Sequence, residues 1–163
     1  TRGLSSMVEQ MNDTDNRWWS EDKVKYHLDM MAKSHYEIVI HFIEEDQITY
    51  RTFYRRTRKG QQRAEVRHDD LAGCLRTAVG GSGKQFLIRA GNGNIKMREM
   101  TAREYARLQG VPDKYPITTN GVQALTGFGD AVCVPVITWL AQNVLKSLIE
   151  KYLAITPPVC QNA

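Results

Sequence analysis

From Tyr50 to Ala64 the chain sets Arg51, Arg55, Arg56, Arg58, Lys59 and Arg63 among Tyr50, Phe53 and Tyr54, with no carboxylate between them. Basic side chains neutralise phosphates and release their counterions, and aromatic rings pack on sugars or bases, so the pattern suits nucleic acid. A strand edge kept soluble by charge is the plainer alternative. A second stretch, Leu75 to Gln85, reads Leu-Arg-Thr-Ala-Val-Gly-Gly-Ser-Gly-Lys-Gln, and its glycines allow close approach of another backbone. It is not a triphosphate-binding loop: Ala78 stands five residues before Gly83, and Gln85 follows Lys84 where Ser or Thr is required. The cysteines Cys74, Cys133 and Cys160 are odd in number, far apart and without a C-x-x-C pair. His27, His35, His41 and His68 lack ligand spacing. No metal site is expected, and the free thiols suit a reducing, cytoplasmic setting.

Elements that could position these residues follow from local signals. Arg17 to Ser34 reads as a helix with Ser20 as N-cap, Glu21 and Asp22 at the positive end of its dipole, and Val24, Leu28 and Met31 on one face. Trp18 and Trp19 anchor it. The β-branched run Tyr36 to Ile43, the turn Glu44-Glu45-Asp46 and the stretch Gln47 to Tyr54 predict a hairpin. Gln85 to Ala90 and Asn94 to Arg98 predict another around Gly91-Asn92-Gly93. Thr101-Ala102-Arg103-Glu104 is a capping box opening a helix that stops near Gly110 and Pro112. Val132 to about Lys151 predicts an amphipathic helix with Pro135 in its first turn and Val136, Ile137, Leu140, Val144 and Leu148 as its apolar stripe.

The whole is a chain of 163 residues and 18.6 kDa, about one domain's worth. Its apolar share of 42% and charged share of 25% are those of globular chains, which excludes disordered and collagen-like classes. The net charge of +4 is compatible with a polyanionic partner. Pro135, Gln142, Asn143, Lys146 and Ser147 interrupt the most apolar stretch, Ala131 to Leu148, and on that basis no membrane span is expected. The opening Thr-Arg-Gly-Leu-Ser-Ser has no apolar run of a signal peptide and no initiator Met, which suggests a trimmed chain or a fragment.

The segment Arg-Glu-Met-Thr-Ala-Arg-Glu-Tyr-Ala-Arg-Leu-Gln-Gly-Val-Pro, Arg98 to Pro112, resembles the ninth conserved motif of DNA cytosine-5 methyltransferases. Gln123-Ala124-Leu125, Phe128-Gly129-Asp130-Ala131-Val132 and Val134-Pro135-Val136 resemble the tenth, in the same order and at similar spacing. Cys74 to Gly83 resembles, more weakly, the recognition loops of that family's DNA-reading domain.

The resemblance implies a small mixed α/β target-recognition domain with β-hairpins over residues 1–100. Motif helices over 101–155 would complete a partner's Rossmann-like catalytic domain, ahead of a flexible tail at 156–163. It also implies methyl transfer from S-adenosyl-L-methionine to carbon 5 of a cytosine flipped out of double-stranded DNA, the work of a restriction–modification system. The family's nucleophile motif Pro-Cys-Gln, its Glu-Asn-Val and its Phe-x-Gly-x-Gly do not occur in this sequence. Pro158-Val159-Cys160-Gln161 is a decoy, with Val159 intruding. No catalytic residue is therefore expected here. The catalytic groups and most of the cofactor site would belong to a polypeptide carrying motifs I to VIII, either as the other subunit or as the rest of a longer chain. A non-catalytic DNA-binding or regulatory module derived from such an enzyme is the alternative.

By position, Arg98, Arg103, Glu104 and Arg107 would orient the recognition domain, or else form ordinary ion pairs along the helix. Asp130, Ala131 and Val132 would contact the cofactor, although the family usually has Asn where Asp130 stands. DNA contacts would fall to Arg55, Arg56, Arg58, Arg76, Gly80, Gly81, Ser82, Lys84 and Gln85. Arginine reads guanine, glutamine reads adenine, and lysine more often meets phosphate.

Overall fold

Two tight turns organise the middle of the chain. At Lys59-Gly60 and at Gly91-Asn92-Gly93 the backbone enters the left-handed region, with φ of 48° and 76° at the first and 143°, 53° and 74° at the second. Each reverses a strand onto its neighbour. In the computed structural model, which describes residues 3–77, 83–118 and 120–155, the strands are β1 (Thr49–Arg58), β2 (Gln61–Val66), β3 (Gln85–Gly91) and β4 (Asn94–Glu99). They form a four-stranded antiparallel sheet in the order β2-β1-β3-β4. Phe53 of β1 lies opposite Val66 on one side and Phe86 on the other. A side chain at Gly91 would put its Cβ 2.3 Å from the Gln47 carbonyl oxygen, so this corner admits only glycine.

The expected hairpin between Tyr36–Ile43 and Gln47–Tyr54 does not form. Residues Lys33–Glu44 are helix α2, which follows α1 (Glu21–Asp29). His35, Ile38, Val39, Phe42 and Ile43 recur at helical spacing, and all are at least half-buried. Packing that stripe on the sheet outweighs the strand preference of its β-branched residues. Gln47–Tyr54 does supply a strand, but its partners are β2 and β3. The first helix is also shorter than expected. Ser20 holds the N-cap position with an extended backbone, but its hydroxyl makes no cap bond.

Both faces of the sheet are covered, which is why every residue of β3 except Arg89 is buried. One face packs on α1 and α2 through Val24, Met31, Val39, Phe42, Phe53, Phe86, Ile88 and Met97. Trp19 seals it, its ring centre 5.3 Å from Phe86 and 4.4 Å from His27. The segments flanking α1 also pin the two rims. Trp19 N–H donates to Met97 of β4 at 2.9 Å, and Ala64 N–H of β2 donates to Met30 at 3.2 Å. The opposite face holds Tyr50 and Leu87 against Leu4, Val8, Met100 and Tyr105, with Leu125 and Phe128 packed alongside. These come from the amino-terminal segment, α3 (Ala102–Leu108) and α4 (Gly121–Asp130), whose Asn120 cap accepts from the Gln123 amide at 2.9 Å. The expected capping box is present on α3, and Gly110 follows it at φ 77°.

Contacts divide the chain into two units between Ala131 and Val132. The second unit contains α5 (Val134–Leu140), one π turn (Ala141–Leu145) and α6 (Lys146–Ile155). The expected stripe of Val136, Ile137, Leu140, Val144 and Leu148 is helical and exposed, and so are Val134, Trp139, Leu145, Ile149 and Tyr152. By length and composition alone the stretch Gly121–Tyr152 could cross a membrane, which corrects the sequence-based exclusion. The backbone is nevertheless extended at Ala131 (ψ 158°) and Cys133 (ψ 113°), so the helical hydrogen bonding is broken there. Such a break is costly in lipid.

Candidate nucleic-acid interface

Successive β1 side chains point to opposite faces of the sheet. Arg55 goes to the helix-covered side, its guanidinium carbon 5.2 Å from the centre of the Phe86 ring. Tyr54, Arg56 and Arg58 go to the other side and converge on Glu65 of β2. The Glu65 carboxylate accepts from the Tyr54 hydroxyl at 2.6 Å, from Arg56 Nη1 at 3.1 Å and from Arg58 Nε at 3.0 Å. The acid's side chain is 15% exposed, against 37% for Arg56 and 57% for Arg58, so it lies beneath the guanidiniums, whose outer edges stay in water. Burial alone would raise its pKa. The Tyr54 hydroxyl and the guanidiniums of Arg58 and Arg56 outweigh burial and hold it below the ordinary carboxylate value.

Beside this cluster opens a cleft of about 720 Å³ lined by Arg56, Arg67, Cys74, Arg76 and Gln85. Its wall is fixed by the buried Thr52, whose hydroxyl accepts from the Gly73 amide at 3.1 Å. Arg67 is held in a fork by Asp69 at 2.8 and 2.7 Å. Gln85 is buried, with its backbone N–H donating to the Tyr105 hydroxyl oxygen at 3.0 Å. Lys84 is tied to Glu99 at 2.6 Å. Of the expected DNA contacts, Arg56, Arg76 and Gln85 therefore share the cleft, and Arg58 adjoins it through Glu65. Arg55 lies on the other face. Gly80, Gly81 and Ser82 lie outside the described residues.

Behind the cleft, Arg98 and Glu104 form an ion pair with no exposed side-chain surface, at 2.8 and 2.5 Å. Glu104 also accepts from the amides of Glu9 at 2.9 Å and Thr101 at 2.8 Å, so the charge is buried but well bonded. Arg103 and Arg107 pair with neither Glu104 nor each other. Arg103 donates to the Tyr115 carbonyl at 2.8 Å, and Arg107 grips Asp113 at 2.8 and 3.0 Å and the Met7 carbonyl at 3.1 Å. These residues bind the amino-terminal segment, β4 and the chain after α3 into one support. The last turn of α4 then meets the cleft wall. A Cβ at Gly129 would fall 2.5 Å from the Arg76 carbonyl carbon, and the Asp130 carboxylate accepts from the Thr77 hydroxyl.

The model of the C-5 cytosine-specific DNA methylase family matches residues 2–146, so the chain belongs to that family. It is similar to Type II methyltransferase M.HpaII of Haemophilus parainfluenzae, 43% identical over 56 residues that make up 34% of this chain and 16% of that protein. It is similar to M.NlaX of Neisseria lactamica, 41% identical over 66 residues, or 40% of this chain and 20% of that one. M1.ScrFI of Lactococcus lactis subsp. cremoris is 41% identical over 66 residues, 40% of this chain and 16% of the other. The matched stretch thus spans a fifth or less of each relative's length.

The family uses S-adenosylmethionine. In this chain the Ala131 amide donates to Gly127 at 3.0 Å, and its carbonyl accepts from Gln109 Nε2 at 3.1 Å, while Asp130 is engaged by Thr77. Their polar groups complete the end of α4. Val132 is exposed.

Sequence reasoning missed Glu65, Arg67, Glu9 and Gln109. Glu65 lies two residues past Arg63 and one past the end of the basic run. Two-residue strand periodicity was the signal that could have placed it under Arg56 and Arg58.

Proposed function

We propose that this chain is the DNA-recognition portion of a DNA (cytosine-5) methyltransferase, serving a restriction–modification system. The β1–β2 hairpin and the cleft holding Arg76 engage duplex DNA, with residues 1–100 forming the reading part. Residues 101–155 orient it and close one side of the S-adenosylmethionine pocket, Asp130 and Ala131 as a wall and Val132 through its main chain. The nucleophile and the rest of the pocket belong to a polypeptide carrying motifs I to VIII, and the cytosine is flipped into that partner's site.

The observation that carries this reading is the helix from Val134 to Ile155, whose apolar side chains Ile137, Trp139, Leu140, Leu148 and Ile149 are all about half exposed. A surface of that kind is what a polypeptide carrying motifs I to VIII would cover. The test is a methyl-transfer assay with labelled S-adenosylmethionine and duplex DNA. Label should enter DNA only when this chain is mixed with a polypeptide bearing Pro-Cys-Gln and Glu-Asn-Val. Transfer by this chain alone, or by that polypeptide equally well without it, would overturn the proposal.

A further inference from the structure

The Tyr54–Glu65–Arg56–Arg58 cluster has a feature that phosphate binding alone does not require. Two guanidiniums facing solvent on the DNA-engaging side share one carboxylate placed underneath them. If the hairpin served only to attract phosphates, an acid at this position would be a defect. It removes a unit of positive charge where the attraction is needed.

The carboxylate does two physical things. It fixes Arg56 and Arg58 in defined directions, which lowers the entropy lost when they meet a ligand. It also screens them, because a phosphate approaching from outside meets Arg56, Arg58 and the facing Arg63 with one anion set against them. The first effect favours a partner whose phosphates fall where the two guanidiniums already point. The second weakens attraction for every duplex alike. Together they trade general affinity for discrimination between a correctly seated duplex and an incorrectly seated one.

We infer that Glu65 is an internal counter-ion that damps the hairpin's general attraction for duplex DNA by standing in for a DNA phosphate beneath Arg56 and Arg58. This rests on the reading of the hairpin as a DNA-engaging surface. Glu65 touches no DNA; it is a positioning residue acting through the two arginines.

The experiment measures binding of the full chain to a random-sequence duplex by fluorescence anisotropy between about 50 and 200 mM salt. The variants are Glu65→Gln, Glu65→Asp and Arg56→Ala. Releasing one cationic charge should steepen the dependence of log K on log salt by about 0.9, so the ratio of affinities at the two salt concentrations grows about 3.5-fold in Glu65→Gln. Glu65→Asp keeps the charge and should keep the wild-type slope. Should Glu65→Gln lose its sheet by circular dichroism, Glu65→Thr carries the same expectation, since threonine suits a strand.

An unchanged or shallower slope in the uncharged variant, or equal steepening in Glu65→Asp, would overturn the inference. Failure of the underlying DNA reading looks different. There the wild-type chain would show no salt-dependent binding, and Arg56→Ala would change nothing.

Discussion

Arg98 and Glu104 show how much one pair of residues can decide. The pair has no contact with water, so removing one member strands the other charge inside the protein. Arg98→Met should cost about 3–5 kcal/mol in urea denaturation, whereas Arg98→Met combined with Glu104→Gln should recover part of that loss, because glutamine leaves no charge stranded and keeps an oxygen for the Thr101 or Glu9 amide. His27 carries a pH dependence. Burial pushes its pKa below the ordinary 6.5, only partly offset by its bond to the Lys23 carbonyl at 2.7 Å. The folded chain therefore keeps His27 neutral where the unfolded chain would take up a proton. Its contribution is complete above pH 6.5 and is lost as pH falls below that toward the lower folded value. Stability curves of wild type and His27→Leu should diverge with acidification below that point, the wild type falling faster by up to about 1.4 kcal/mol per pH unit. Parallel curves would remove His27 from the acid response.

Among the elements, α4 depends for its placement on a missing side chain. Gly129→Ala would drive a Cβ into the backbone of Arg76 and Thr77, which cannot yield as a flexible side chain would. The expected result is a loss of about 1–3 kcal/mol in stability and weaker duplex binding, because the same backbone carries Arg76. Wild-type melting and binding in that variant would show the contact to be slack.

Elements written in contiguous residues were legible. The Gly91-Asn92-Gly93 turn and the Thr101–Glu104 capping box need only their own neighbours. Helix α2 was misread because its β-branched content and its 3.6-residue stripe disagree, and only the sheet beneath decides between them. The candidate site was half legible. The arginines could be counted, but their sorting to opposite faces, the acid under two of them and the bond from the Glu9 amide to Glu104 depend on cross-strand register and on segments far apart in the chain.

At the scale of the whole molecule, the two units differ in how well each buries its own apolar surface. The unit up to Ala131 covers both faces of its sheet, while the unit from Val132 leaves Trp139, Leu145, Leu148 and Tyr152 exposed. The isolated chain should self-associate in a concentration-dependent way, and light scattering should show Trp139→Glu shifting it toward the monomer. Strict monomers of wild type at high concentration would count against an unsatisfied face.

The flanks of α1 act as a strap thrown across the sheet, fastened at Met97 on one rim and at Ala64 on the other. A single proteolytic nick within that strap would unbutton both rims together. The Met97 carbonyl and the Ala64 amide would then lose their partners at once, and the clipped material would tend to clump rather than persist as a soluble core.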